Sequence, residues 1–274
     1  MSRGEPSPLP HPAPSPEQAQ RVEGRGRITA EILIVLGLSL GQSAVYSIVA
    51  IINRSTRDQP LSQQTATLNP TLDSREVFDF IYQMLDIAFG LMPVVLVCWL
   101  LWSARRPHLG RLGLAFDRPA RDIGWGALLA IGIGAGGMVV YLAGRALGMT
   151  VAVNPAGLAD HWWTVPVLLL AAARAALLEE VIMVGYLFAR LRQLGWGNWP
   201  IILLSATIRA SYHLYQGWGS FVGNFLMGIV FGWIAARWGR VLPLVVAHFF
   251  IDAAVFVGYP FVAAAWPALF GLPG

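Results

Sequence analysis

Long apolar runs recur along this chain at about the length a helix needs to cross a lipid bilayer, and no other feature limits the fold as strongly. A hydrocarbon layer of about 30 Å takes roughly 20 helical residues at about 1.5 Å each. Of 274 residues, 56% are hydrophobic and 12% charged, and the mean hydropathy is +0.58. One soluble core cannot hide that much apolar surface, so the excess must face lipid. The expected fold class is all-α, a polytopic transmembrane helical bundle.

Residues 1–27 carry prolines at 6, 8, 10, 12, 14 and 16, scattered charge and almost no large apolar side chains. Such a segment cannot offset its ordering entropy by burial, so a disordered cytoplasmic tail is expected there, with the bundle over 28–274. The first span runs from about Ile28 to Asn53 and, without a convincing cleavage site after it, reads as retained. A polar loop, roughly Arg54 to Glu76, leads to spans over Val77 to Trp102, Asp122 to Leu147, Thr164 to Leu194, Asn198 to Tyr215, Ser220 to Arg237 and Leu242 to Val257. Seven spans are thus expected. An eighth, Phe261 to Phe270, is short and interrupted by Pro267, and stays open. Gly124, Gly126, Gly132, Gly134, Gly136 and Gly137, and later Gly228 and Gly232, form small-residue seams for close helix packing.

All 19 basic residues are arginine, and the net charge is +4. They collect between the apolar runs and form no groove-lining patch with interleaved aromatics, so nucleic acid is not an expected partner. Placing the N-terminal arginines inside also places Arg105 to Arg121, Arg190 with Arg192, and Arg237 with Arg240 inside, a consistent alternation that makes the N-terminus cytoplasmic in a multi-pass cell-membrane protein. The arginine-only set points to a high-GC bacterial source. Cys98 is the single cysteine, so no intrachain disulfide or thiolate metal site can form.

Ionisable side chains within spans are costly unless paired or hydrated, which makes them functional candidates by default. Glu179 and Glu180 lie about 11 residues before Arg190, on the order of 16 Å from the cytoplasmic end of their helix. Adjacent carboxylates point about 100° apart, so one can face a cavity while the other pairs with a neighbouring helix. The structural reading is a buried pair held by Arg174 or Arg209. Arg209 and His213 are four apart on one face of the next helix, and His248 and Asp252 are four apart on the last, where the carboxylate can reach back to fix the imidazole. His-Asp couples also brace helices without doing chemistry. Glu31, Asp79 and Asp86 read instead as caps or packing contacts near span ends, and Trp162, Trp163, Trp196 and Trp199 as interfacial anchors.

The sequence Glu179-Glu180-Val181-Ile182-Met183-Val184-Gly185, then Arg209 to His213, then His248 to Asp252, resembles the CAAX prenyl protease 2 family, also called the CPBP intramembrane proteases. The resemblance covers about residues 165–258, which would be the catalytic core. In that family two glutamates are followed, after three intervening residues, by an arginine, a phenylalanine stands four before a histidine, and a histidine stands four before an asparagine or aspartate. The third motif fits. Val184 stands where the first motif has arginine, and Arg209 where the second has phenylalanine. Arg209 is therefore expected to supply from the fifth helix the guanidinium missing at position 184, gripping Glu180 in a bidentate contact.

The resemblance implies an endopeptidase acting on a membrane protein or peptide in the bilayer. Glu179 and His213 would hold and activate a water, with Glu179 as general base, while His248, backed by Asp252, would donate to the developing oxyanion. Glu180 completes the candidate set. No cofactor is expected. As an alternative, Glu179, His213 and His248 could bind zinc or another divalent metal with an open position, although no His-Glu-x-x-His motif is present. Two rival functions share these residues: a proton-coupled transporter, which lacks the expected internal repeat, and a non-catalytic membrane scaffold or immunity protein of the same family.

Overall fold

The computed structural model describes residues 16–265. It is an all-α bundle with one small sheet. Helix α1 (Pro16–Gly37) meets α2 (Leu40–Ser55) across a two-residue break, and the pair is bent by 55°. Helix α1 starts inside the stretch expected to be a disordered tail, so residues 16–27 are helical; residues 1–15 lie outside the described ones. Helices α3 (Glu76–Gly90) and α4 (Met92–Leu100) run on as one apolar rod, and α5 (Pro119–Ala146) follows. Next come α6 (Thr164–Glu179), a π-helical segment (Glu180–Tyr186) and α7 (Leu187–Gln193), which are continuous. Helices α8 (Asn198–Tyr212), α9 (Trp218–Trp238) and α10 (Leu242–Ala265) complete the described residues. Helix α10 absorbs the first half of the proposed eighth span; the rest lies outside the described residues.

Among the described residues four helices are long and apolar enough to cross a membrane: Glu76–Leu100, Pro119–Ala146, Trp218–Trp238 and Leu242–Tyr259. The bent α1–α2 pair makes a fifth if it is one span. Seven spans were expected, and the shortfall has a physical cause. The helix of Glu179 carries Arg174, Glu179 and Glu180 within its apolar run. Helix α8 has 15 residues, on the order of 22 Å, short of a full crossing. These two helices form the interior and the long apolar ones surround it: Val181, Ile182, Tyr186, Leu187, Ile201, Ile202 and Phe231 are buried together in the main core.

The loop expected between the first two spans contributes strand β1 (Thr65–Thr67), which pairs in parallel with β2 (Ala152–Asn154) in the register Thr65 to Ala152. Just before β2, Val151 donates to the Gln216 carbonyl, so this small cap sits against the α8–α9 turn. At that turn Gly217 has φ +106 and its Cα faces the Met149 carbonyl, where any Cβ would collide. Only glycine allows so tight a reversal, and the reversal ends α8 at His213, inside the bundle.

Arginine clusters gather at the opposite end. Arg25 donates to the Leu194 carbonyl, and Arg190 grips Glu31 through two nitrogens at 2.7 and 3.0 Å. Arg240 binds Asp117, Asp122 and the Ala115 carbonyl. That contact holds the exposed Asp117 carboxyl below the usual carboxylate range. Of the four tryptophans read as interfacial anchors, Trp162, Trp196 and Trp199 are exposed, but Trp163 is buried against Phe80 and His161.

Candidate active site

Glu179 and Glu180 stand where α6 passes into the π-helical segment. A π turn carries an extra residue and leaves backbone groups displaced from their usual partners, and it often marks a functional position. Here Ser205 on α8 donates to the Met183 carbonyl at 3.0 Å, tying the irregular segment to the next helix. The shift aims both carboxylates inward: Glu180 is fully buried and Glu179 nearly so.

Arg209 rises between them from α8, itself buried. Its Nη2 donates to Glu180 Oε1 at 2.6 Å, and its Nη1 lies 3.3 Å from Glu179 Oε2. The guanidinium therefore bridges both glutamates and does not form the expected bidentate grip on Glu180 alone. Gly228 of α9 lets α8 approach closely at this level, since a Cβ there would lie 2.8 Å from the Ala206 Cα and 3.3 Å from Arg209 Cδ. Val184, where an arginine was expected, is buried in the apolar core. Arg174, the other proposed holder of the glutamates, pairs with Asp86 instead.

His248 enters from α10. Its Nδ1 is 2.7 Å from Glu180 Oε1, and its Nε2 is 3.4 Å from Asp252 Oδ2. With Glu180 accepting from Nδ1–H, Nε2 is the atom left to face Asp252 or a reacting group. His213, the residue that closes α8, places Nε2 3.8 Å from Glu179 Oε2. Both of its ring nitrogens are buried without a hydrogen-bond partner among the described residues. All five sequence-derived candidates and Arg209 thus converge from α6, α8 and α10.

One member of this cluster was not foreseen. Tyr212 donates its hydroxyl to Glu179 Oε2 at 2.8 Å, its ring packs beside His213, and it is buried. The polar run Arg209-Ala210-Ser211-Tyr212-His213 held the signal, because a tyrosine inside a span needs a partner for its hydroxyl.

The family comparison bears on this same stretch. Residues 161–254 match the model described as type II CAAX prenyl endopeptidase Rce1-like. This stretch is similar to an Rce1-like domain. The curated proteins yielded no match, and the solved structures yielded none either. The Rce1-like family is one of CAAX intramembrane proteases, and with its apolar helices the chain is a multi-pass membrane protein. Every residue of the polar cluster lies within the Rce1-like stretch.

A metal in this cluster would have to displace contacts that His248 already makes. Both nitrogens of His248 already face carboxylates, so this imidazole has no nitrogen turned to an ion shared with Glu179 and His213. Among the described residues no group of three or more His, Cys, Asp or Glu is arranged to hold a metal ion. The zinc alternative, with Glu179, His213 and His248 as ligands, therefore finds no support in this geometry.

Proposed function

We propose that the chain is an intramembrane endopeptidase that hydrolyses a peptide bond of a membrane-associated protein or peptide with a water activated by Glu179 and His213. The observation that carries this reading is the pairing of a buried, unpartnered imidazole with a buried carboxylate 3.8 Å away. One water can touch both atoms. Tyr212 donates to Glu179 Oε2, while Oε1 makes no hydrogen bond among the described residues and would take the water's proton. The resulting hydroxide attacks the substrate carbonyl, and the carbonyl π electrons move onto its oxygen. His248 Nε2–H turns from Asp252 to that oxyanion, a donor worth about 3 kcal/mol. Collapse breaks the C–N bond, and Glu179 passes its proton to the departing amine.

In this reading residues 165–258 are the catalytic core, Glu180 and Arg209 fix the positions of His248 and Glu179, and the N-terminus is cytoplasmic. The second reading, a non-catalytic scaffold or immunity protein, is favoured by Val184 in place of arginine: the same ionic network would then only brace helices. The deciding experiment compares membrane-protein termini by mass spectrometry in cells carrying the native chain or Glu179→Gln at equal abundance. New termini that need Glu179 establish proteolysis and name the substrate. If no termini differ and Glu179→Gln reproduces every phenotype of the native chain, the scaffold reading stands.

A further inference from the structure

Asp86 and Arg174 form an ion pair at 2.8 Å that the active site does not use. The sequence placed Asp86 near a span end, but it lies ten residues into the apolar rod Glu76–Leu100, on the order of 15 Å from its start and thus near mid-membrane. The pair is also open to the outside: the Asp86 side chain is 56% exposed and that of Arg174 27%. A charged pair facing hydrocarbon at that depth is costly and needs a function.

The face around it is apolar and unpartnered. Tyr82, Leu85, Asp86 and Phe89 form one stripe of α3, with Leu72 at its head, lining an open groove. The opposite face of α3 holds the helix in place, with Phe80, Met84 and Ile87 packed against Trp163 and Val167. Gly90 makes room for the pair, since a Cβ there would lie 2.8 Å from Arg174 Cδ. The pair is only partly satisfied. Asp86 Oδ1 and Arg174 Nη2 make no hydrogen bond among the described residues, and Arg174 Nε is buried without a partner.

We infer that this groove docks a transmembrane helix carrying an uncharged hydrogen-bonding side chain, of the Asn or Gln kind, at mid-depth. A side-chain amide offers a carbonyl to Arg174 and an N–H to the free Asp86 oxygen, which is the combination the pair leaves open. Acyl chains offer neither, and lipid headgroups lie too far away along the membrane normal. Arg174 is on the same helix as Glu179, five residues earlier and about 140° round it, so α6 itself stands between a helix docked here and the cluster. That the docked helix is the substrate's rests on the proposed endopeptidase; the docking itself does not.

The test uses the full chain in lipid vesicles with a fluorescent donor at its C-terminus, and acceptor-labelled poly-leucine transmembrane peptides with or without one central asparagine. The asparagine peptide should associate about threefold to tenfold more strongly. The Asp86→Leu/Arg174→Leu double variant, which leaves no lone charge behind, should bring it to the all-leucine level. Phe89→Ala, which trims only the exposed wall, should weaken it as well. Equal association of both peptides, or an asparagine preference that survives the double variant, overturns the inference. Energy transfer between two labelled chains that is lost in the double variant also overturns it, since the face would then be a self-interface. Binding needs no hydrolysis, so a failed cleavage experiment leaves this result unaffected.

Discussion

Arg209 puts one guanidinium against two buried carboxylates, and its removal would leave Glu179 with the Tyr212 hydroxyl and Glu180 with the His248 imidazole as their remaining hydrogen-bond partners. Breaking such a buried group typically costs about 3–5 kcal/mol. Arg209→Leu should therefore lower thermal stability in detergent by that order, and Glu180→Gln in the same background should restore part of it, because one fewer charge is stranded. Full stability of Arg209→Leu alone would show that the pairing carries no weight. Tyr212→Phe tests a finer point, since it removes only the hydroxyl that donates to Glu179. Its stability should change by about 1–2 kcal/mol at most, while peptide-bond hydrolysis, measured on a substrate identified from new termini, should fall about tenfold or more in kcat with KM little changed. A purely structural tyrosine would leave kcat alone. At this scale the sequence was informative about acids, histidines and Arg209, which are conspicuous in an apolar run, and silent about Tyr212, whose aromatic ring reads as an ordinary membrane residue until its partner is known.

Helix periodicity explains why elements were easier to read than their irregularities. Apolar length located the helices from α3 onward to within a few residues, except the end of α10, which runs eight residues past the expected Val257, because burial in lipid demands long uninterrupted runs. The break between α1 and α2, the π segment after Glu179 and the halt of α8 at His213 depend on tertiary contacts that no local pattern announces. Ser205 is one such contact: its hydroxyl meets the Met183 carbonyl within the π segment. Ser205→Ala should leave that buried carbonyl short of a donor and cost about 1–3 kcal/mol, seen as a lower unfolding midpoint. Hydrogen exchange should also quicken over Glu180–Tyr186 specifically. Unchanged exchange there would mean that the segment holds its form without α8. The same reasoning explains the span count: α8 is apolar enough to resemble a crossing helix, yet its length is set by the Gly217 reversal and not by the membrane.

Across the whole molecule the two ends differ in chemistry. Contacts draw the arginine clusters to one end: Arg25 reaches Leu194, Arg27 and Arg190 line one groove with Trp99, and Arg240 ties the 115–122 segment to the start of α10. At the other end the β1–β2 cap leans on the α8–α9 turn, with Arg54 and Arg145 spent on backbone carbonyls of that cap. A bias of this kind orients a bundle in the membrane, since excess arginine is retained on the cytoplasmic side. The expected outcome is that a reporter fused before Arg25, or a cysteine placed in the loop at Arg111, labels only from the cytoplasm, while a cysteine at Thr71 labels from the opposite face. Labelling of Arg111 and Thr71 positions from one side would break the proposed orientation. His213 ends α8 toward the cap, so with the cap outward the activated water lies nearer the outer leaflet than the inner one. Cleavage sites mapped from new termini should then fall in the outer half of the substrate's membrane segment, and sites confined to the cytoplasmic half would require the reverse orientation.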